Sequence, residues 1–361
     1  CPEPFRQVSV GPLSEQLQQS KSKKRMMRKQ MAVRRQGPTR QMLQKQCFHV
    51  VKVGSLVLGA GRALKAVGLP ILDTKTWQLS ALKTTPDRTK WDFFGMAAAN
   101  GKVYLEGRDP SDGQFALLLV DLETEGVTEL GSRRNLHYVG PAATNTSLYL
   151  LERGGTHVLV MDLASTSFTN ATIPAHVRGG ASSVKNGWSR LAAANGKLFA
   201  TPWTAQCTLV MHLQPEVGGF DCVPTPHSGV SDEWGAWSGL VEFEGLLYGG
   251  PSDDQTILVI NTTSHDVEKI NTTGFGGSGK PGHMFRGAAV AGRSVYFAPY
   301  RAEFILVLEV DTRELRTIGE HLSGFGSIVA VGQSIVMSPC RTDHLSIVNV
   351  SMTSLPLPQH A

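Results

Sequence analysis

The sequence lacks most of the signatures from which an activity is read. No run of about 18 apolar residues occurs, so no transmembrane helix is expected. No Cys-x-x-Cys or Cys/His spacing suggests zinc. Gly-x-Ser-x-Gly, His-Glu-x-x-His and EF-hand loops are all missing. These absences leave no catalytic residue to name, and neither a cofactor nor a metal site is expected. Cysteine is scarce: five residues, an odd number that excludes complete pairing within the chain. Acidic residues are missing from one stretch, since Lys21 to Gln46 holds ten Lys and Arg and no Asp or Glu. The formal charge of +5 therefore divides unevenly, with 25 basic against 30 acidic residues, or −5, outside that stretch.

Two near-motifs also fail on their chemistry. Gly274-Phe-Gly-Gly-Ser-Gly279-Lys280-Pro281 approaches a phosphate-binding loop, but Pro281 stands where a magnesium-holding Ser or Thr is needed, and no helix follows. Gly59-Ala-Gly61 opens like a dinucleotide fingerprint, but Leu64 replaces the third glycine and the setting is a hairpin.

What is present is a repeat of roughly 45 residues. Gly101 to Gly131 and Gly292 to Gly319 share one order: a Gly turn, an apolar strand, a polar loop, a second apolar strand, an Asp turn and a third strand. Seven turn anchors fall between Cys47 and the C-terminus: Gly54, Gly101, Thr146, Gly196, Gly245, Gly292 and Gly332. Pro202, Pro251, Pro299 and Pro339 each end the strand after an anchor, because proline cannot donate to a ladder. The next strands are short continuous apolar runs such as Ala116–Val120 and Thr256–Ile260, the pattern of sheets buried on both faces. Asp73, Asp121, Asp162, Asn261, Asp311 and Asn349 close these runs, and Asx side chains favour tight turns. A period in this range with four strands per unit predicts an all-β, seven-bladed β-propeller of four-stranded antiparallel blades. The propeller is expected over 47–361, each blade drawn from a continuous stretch, with a long third blade (insert near Val177–Gly187) and a short last one. The spacing assigns no strand to close the ring.

The Asp73-Thr-Lys-Thr-Trp77 turn resembles the kelch signature, and Gly154-Gly155 and Gly249-Gly250 resemble its glycine doublet. The segment from Val295 to Thr312 is similar to quinoprotein-like and bacterial surface-repeat propellers. These resemblances imply architecture and no particular activity.

Residues 1–46 read as a basic arm, partly helical or disordered. Ser14 is a candidate N-cap and Gly37-Pro38 a stop. Lys23, Lys24, Arg25, Arg28, Lys29, Arg34 and Arg35 form its electrostatic core, suited to nucleic acid or to an anionic membrane. A solvated tail, or the remnant of an organelle presequence, fits the same residues. Five Asn-x-Ser/Thr sequons, at Asn145, Asn170, Asn261, Asn271 and Asn349, point instead to a secretory route, so the compartment stays open. Cys207 and Cys222 flank one hairpin; two buried thiols are the preferred reading and a cross-hairpin disulfide the alternative.

In a propeller, loops joining strands four to one and two to three share one face. Seven of the eleven histidines map there: His137, His157, His176, His227, His283, His321 and His344. The candidate binding residues at this channel mouth are Trp91, Tyr138, Trp188, Arg190, Trp237, His283, Phe285, Arg286 and Phe325, because Trp and Arg dominate binding hot spots and Arg suits anions. The expected function is a non-catalytic, monomeric scaffold recruiting a protein or peptide partner, with an anionic ligand as a further candidate. The alternatives are an enzyme of quinoprotein-like, lyase or hydrolase type sited in the channel mouth, and a nucleic-acid-associated propeller anchored by the arm.

Overall fold

The computed structural model describes residues 7–9, 48–61, 69–82, 92–109, 113–134, 138–178, 187–213, 219–227, 235–275, 284–319, 321–342 and 344–350. Their regular structure consists of seven four-stranded antiparallel sheets, so the chain is a seven-bladed β-propeller. Six blades are meanders taken in chain order. The innermost strands of blades one to seven are Phe48–Val53, Asp92–Ala99, Tyr138–Ala143, Trp188–Ala194, Trp237–Phe243, Phe285–Ala291 and Phe325–Val331.

Turn chemistry explains why the chain folds back where it does. The first hairpin of blades two, four and five turns on Asn100-Gly101, Asn195-Gly196 and Glu244-Gly245, all with positive φ. Two consecutive residues of that kind define the tight turn whose twist matches a right-handed β-ribbon. The hairpin between the third and outermost strands uses the expected Asx side chains. Asp73 Oδ1 accepts from the Lys75 N–H at 2.8 Å, Asp121 Oδ1 from Glu123 at 2.9 Å and Asn261 Oδ1 from Thr263 at 2.8 Å. These amide bonds also hold the exposed Asp73 and Asp121 carboxyls below their usual range. Blade six departs from the expectation. Glu309 ends its third strand, and Asp311 instead binds the Arg293 guanidinium, which also reaches Glu244 of blade five.

The core lies between blades. Leu58, Leu105, Leu118, Val336 and Ile347 bury together from blades one, two and seven. Blade seven is where the structure differs from the expectation of continuous blades. Its own chain supplies three strands, and the fourth is Gln7–Ser9, pairing as Gln7↔Val348, Val8↔Ile347 and Ser9↔Ser346. The last blade reads as short because its outer strand comes from the opposite end of the chain, and this exchange closes the ring. Of the Gly274–Pro281 segment, residues 276–281 lie outside the described residues, and Gly59–Gly61 lies in a blade-one strand.

Cys207 and Cys222 are joined in a disulfide across the hairpin of the third and outermost strands of blade four, which corrects the preferred reading of two free thiols. The strand register sets Cys222 opposite Leu209 and Cys207 opposite Pro224, a diagonal neighbourhood with Cα atoms 5.4 Å apart, within bridging reach. Cys340 is also a half-cystine.

Two stability changes follow. Replacing Cys207 and Cys222 together by Ser removes a cross-link spanning 15 residues and should lower unfolding stability by about 3 kcal/mol in chemical denaturation. No change would mean that the bridge does not form. Removing residues 1–9 uncovers the edge of the Ser346–Asn349 strand and should cost on the order of 2 kcal/mol. A truncated chain as stable as the full one would exclude ring closure by this strand.

Candidate functional site at the channel mouth

The inner strands share one irregularity that shapes the channel. In blades two to seven the pairing register slips after the first residues of the inner strand, a β-bulge at one recurring place. Just before the slip stands a buried aromatic: Phe93, Tyr138, Trp188, Trp237, Phe285 or Phe325. Two residues later come Gly95, Gly140, Arg190, Gly239, Gly287 and Ser327. The glycines are there for space. A Cβ on Gly239 would lie 2.6 Å from the Cα of Gly287 on the next blade, so neighbouring inner strands meet backbone to backbone. Blade four alone carries a long side chain at this position.

The aromatics at this position are wedges. Trp237 is 0% exposed and Trp188 2%, and their Nε1–H groups donate to the carbonyls of Thr256 and Cys207 at 2.9 and 2.8 Å. Each thereby ties an inner strand to the start of the third strand of its own blade. Histidines from the same face stack edge-on against them: His157 on Tyr138, His227 on Trp237 and His344 on Phe325, with centroids 5.7–6.1 Å apart. Three of the seven histidines mapped to this face therefore pack against the wedges. Tyr138, Phe285 and Phe325 are likewise buried. Trp91 and His283 lie outside the described residues, as do Lys23, Lys24, Arg25, Arg28, Lys29, Arg34 and Arg35 of the arm.

Arg190 and Arg286 are the candidate residues that the structure brings together. Arg190 is half-buried and set on a rigid base: Thr201 Oγ1, fully buried, accepts from the Arg190 backbone N–H at 3.2 Å and bonds Ser189 Oγ at 2.9 Å. Its Nη1–H donates to His49 Nδ1 at 3.2 Å, from blade four to the inner strand of blade one. A guanidinium can only donate, so Nδ1 of His49 carries the lone pair and its proton sits on Nε2. Arg286 reaches the same region from blade six. Its guanidinium lies 4.8 Å from the ring centre of Tyr300 and its Nη1 is 3.7 Å from Cys340 Sγ.

Glu106 completes the group and escaped the sequence reading. It occupies the second strand of blade two, opposite Gly95, and is 1% exposed. A Cβ on Gly95 would come within 2.9 Å of its Oε2, so the glycine makes the notch that the carboxyl fills. Oε2 has no hydrogen-bond partner among the described residues. Burial raises this carboxyl to about 8, against the smaller opposing effects of the Arg190 charge and the Tyr138 N–H. Arg190 is lowered to about 10, first by burial and then by the charge of Arg286, with Glu106 acting the other way. At neutral pH the site therefore holds charged guanidinium and a largely neutral carboxylic acid. Among the described residues no three His, Cys, Asp or Glu side chains group closely enough to hold a metal.

A signal for both residues exists in the repeat. The residue before the strand-ending proline is Thr201, Gly250, Ala298 and Ser338 in blades four to seven, small in every case. Glu106 stands at that register position in blade two, and Arg190 stands where other blades have Gly or Ser. Charge at a position that otherwise admits only small residues marks the site.

No protein-family model matches the sequence, and no curated protein matches it. Solved structures share the fold at low identity. A streptogramin B lyase structure aligns with TM-score 0.67 and 12% identity over 96% of this chain and 97% of that one. The WD40 repeats of RRP9 align with TM-score 0.56 and 13% identity over 85% and 99%. A chain of the mitotic checkpoint complex aligns with TM-score 0.56 and 10% identity over 85% and 90%. The chain is thus a β-propeller, an architecture seen both in a lyase and in WD40 proteins.

The Glu106 environment gives a pH test. The folded chain keeps the Glu106 proton between the ordinary 4.5 and about 8, where the unfolded chain has lost it. Stability should therefore fall as pH rises through that window, by on the order of 5 kcal/mol in all, then level off. Glu106→Gln should lose this component of the slope in urea denaturation between about pH 5 and about pH 9. The same slope in both proteins would mean that Glu106 is already ionised in the folded chain at neutral pH.

Proposed function

We propose that the protein is a non-catalytic binding propeller that recruits a protein or peptide partner through the face of the four-to-one and two-to-three loops. The observation that carries this reading is a stack of Arg286, Tyr300 and Arg341, built by blades six and seven. The guanidinium carbons lie 4.8 and 5.6 Å from the Tyr300 ring centre. Arg341 is exposed and Tyr300 half-buried, so the stack faces solvent while held by ring contacts. Arg and Tyr are the residue types that dominate interface energies, and a side chain already ordered by stacking loses less entropy on binding. Two arginines in one stack suit an acidic partner segment. A propeller of the same shape within the mitotic checkpoint complex supports an assembly role. The kelch-like turn of blade one fits the same scaffold reading, with Trp77 half-buried against the core ahead of the outermost strand.

A second reading is an enzyme of lyase or hydrolase type sited in the channel. The neutral, buried Glu106 beside Arg190 favours it, since a carboxyl with a value near neutrality can serve as a general acid or base.

The test is affinity capture with mass spectrometry on the full chain and on an Arg286→Ala/Arg341→Ala variant with an unchanged melting profile. The binding reading expects a defined set of proteins to be lost, with affinity for an isolated partner falling by at least about tenfold. An identical partner set would remove this face as the recruitment surface.

A further inference from the structure

Close enough to Arg286 to feel its charge, Arg190 forms with Glu106 and His49 a group that the docking face does not use. We propose that Arg190, Glu106 and His49 form a binding site in the channel for the carboxylate of a small organic acid or of an acidic residue inserted by the partner. The inference rests on the binding reading in taking the same mouth as its entrance, and it adds the chemical class of what is bound there.

Arg190 presents a planar fork of donors, one of which goes to His49. It makes no ion pair with a carboxylate among the described residues. Glu106 is the acid that acts on it electrostatically, yet the two do not meet within ion-pair distance. Balanced wholly inside the protein, the pair would place the carboxylate on the guanidinium, as the half-buried Glu309 and Arg316 do at 2.7 Å in blade six. Instead Glu106 is buried in its glycine notch, with Oε2 lacking a hydrogen-bond partner among the described residues. A buried polar atom without a partner is costly, and such a group calls for a water, an ion or a ligand.

Among the described residues, few groups act on Glu106. Arg190 faces it from blade four, the Tyr138 N–H from blade three, and Gly95 and Pro141 supply the apolar walls. Arg286 adds positive charge from blade six, and His49 accepts one of the Arg190 donors. An incoming carboxylate receives donors from the Arg190 fork, while the protonated Glu106 contributes an O–H and brings no competing negative charge. Ionising Glu106 reverses both effects, so the site should hold a carboxylate below its titration and release it above.

The experiment is calorimetric titration of the full chain with succinate and with acetate, using inorganic phosphate and chloride as controls, at about pH 6 and about pH 9. The expected result is saturable binding of succinate at the lower pH, at least tenfold weaker in Arg190→Ala and at the higher pH. Glu106→Gln, uncharged throughout, should retain binding at the higher pH. Arg190→Lys, which keeps the charge but loses the fork, guards against misfolding of the alanine variant and should also bind more weakly. Equal binding by Arg190→Ala, equal binding of phosphate or chloride, or no binding of either carboxylate would overturn the proposal. The two readings can fail separately. Partner capture that persists when carboxylates do not bind defeats this inference alone. Saturable carboxylate binding without any captured partner defeats the docking reading and leaves the site.

Discussion

The close approach of neighbouring inner strands is the constraint on which the rest of the molecule depends. Seven flat wedges close into a ring only if each is thin at the axis and thick at the rim. Thinness comes from the residue two positions beyond the aromatic, where Gly140 and Gly239 leave no room for a Cβ against the next blade. Just outside it, Phe, Tyr and Trp side chains fill the widening gap and are buried there. The bulge at this point bends each strand and raises its local twist beside the buried aromatic. One device thus sets both the packing and the lining of the channel.

Arg190 matters because it breaks that device. A long side chain at a position that is Gly or Ser in the other bulged blades reaches His49 on the inner strand of blade one, and Thr201 and Ser189 hold its base in place. Its charge is kept in an enclosed setting with Arg286 nearby, an arrangement that costs free energy unless an anion answers it. Glu106 does not answer it at neutral pH, since its own desolvation outweighs the attraction and keeps the proton on. On the proposed carboxylate reading, fold stability and ligand affinity are set against each other at this spot.

Most of the architecture was readable from turn chemistry. Asx residues ending apolar runs, glycines before second strands and prolines ending them are local requirements, and each reports its own backbone position. Ring closure was not readable, because Gln7–Ser9 pairs with a strand more than 300 residues away and three residues carry no period. The Cys207–Cys222 bridge depends on a register that spacing alone leaves open. Of the aromatics marked as a binding surface, Tyr138, Trp188, Trp237, Phe285 and Phe325 are buried, because each packs as a wedge beside the bulge of its inner strand. Glu106 lies in the run Lys-Val-Tyr-Leu-Glu-Gly-Arg, where alternation alone does not tell a buried acid from a solvent-facing one; comparison with Thr201, Gly250, Ala298 and Ser338 does.

The most direct test of the account is a hydrogen-exchange footprint of the full chain with and without its captured partner. If the partner sits on the channel mouth, slowed exchange should concentrate in the segments around Phe285–Arg286, Tyr300–Glu303 and Arg341–Leu345. The turns at Gly101, Gly196 and Gly245, on the opposite face, should exchange as in the free protein. Protection confined to those turns, or to the outer blade edges, would contradict the account.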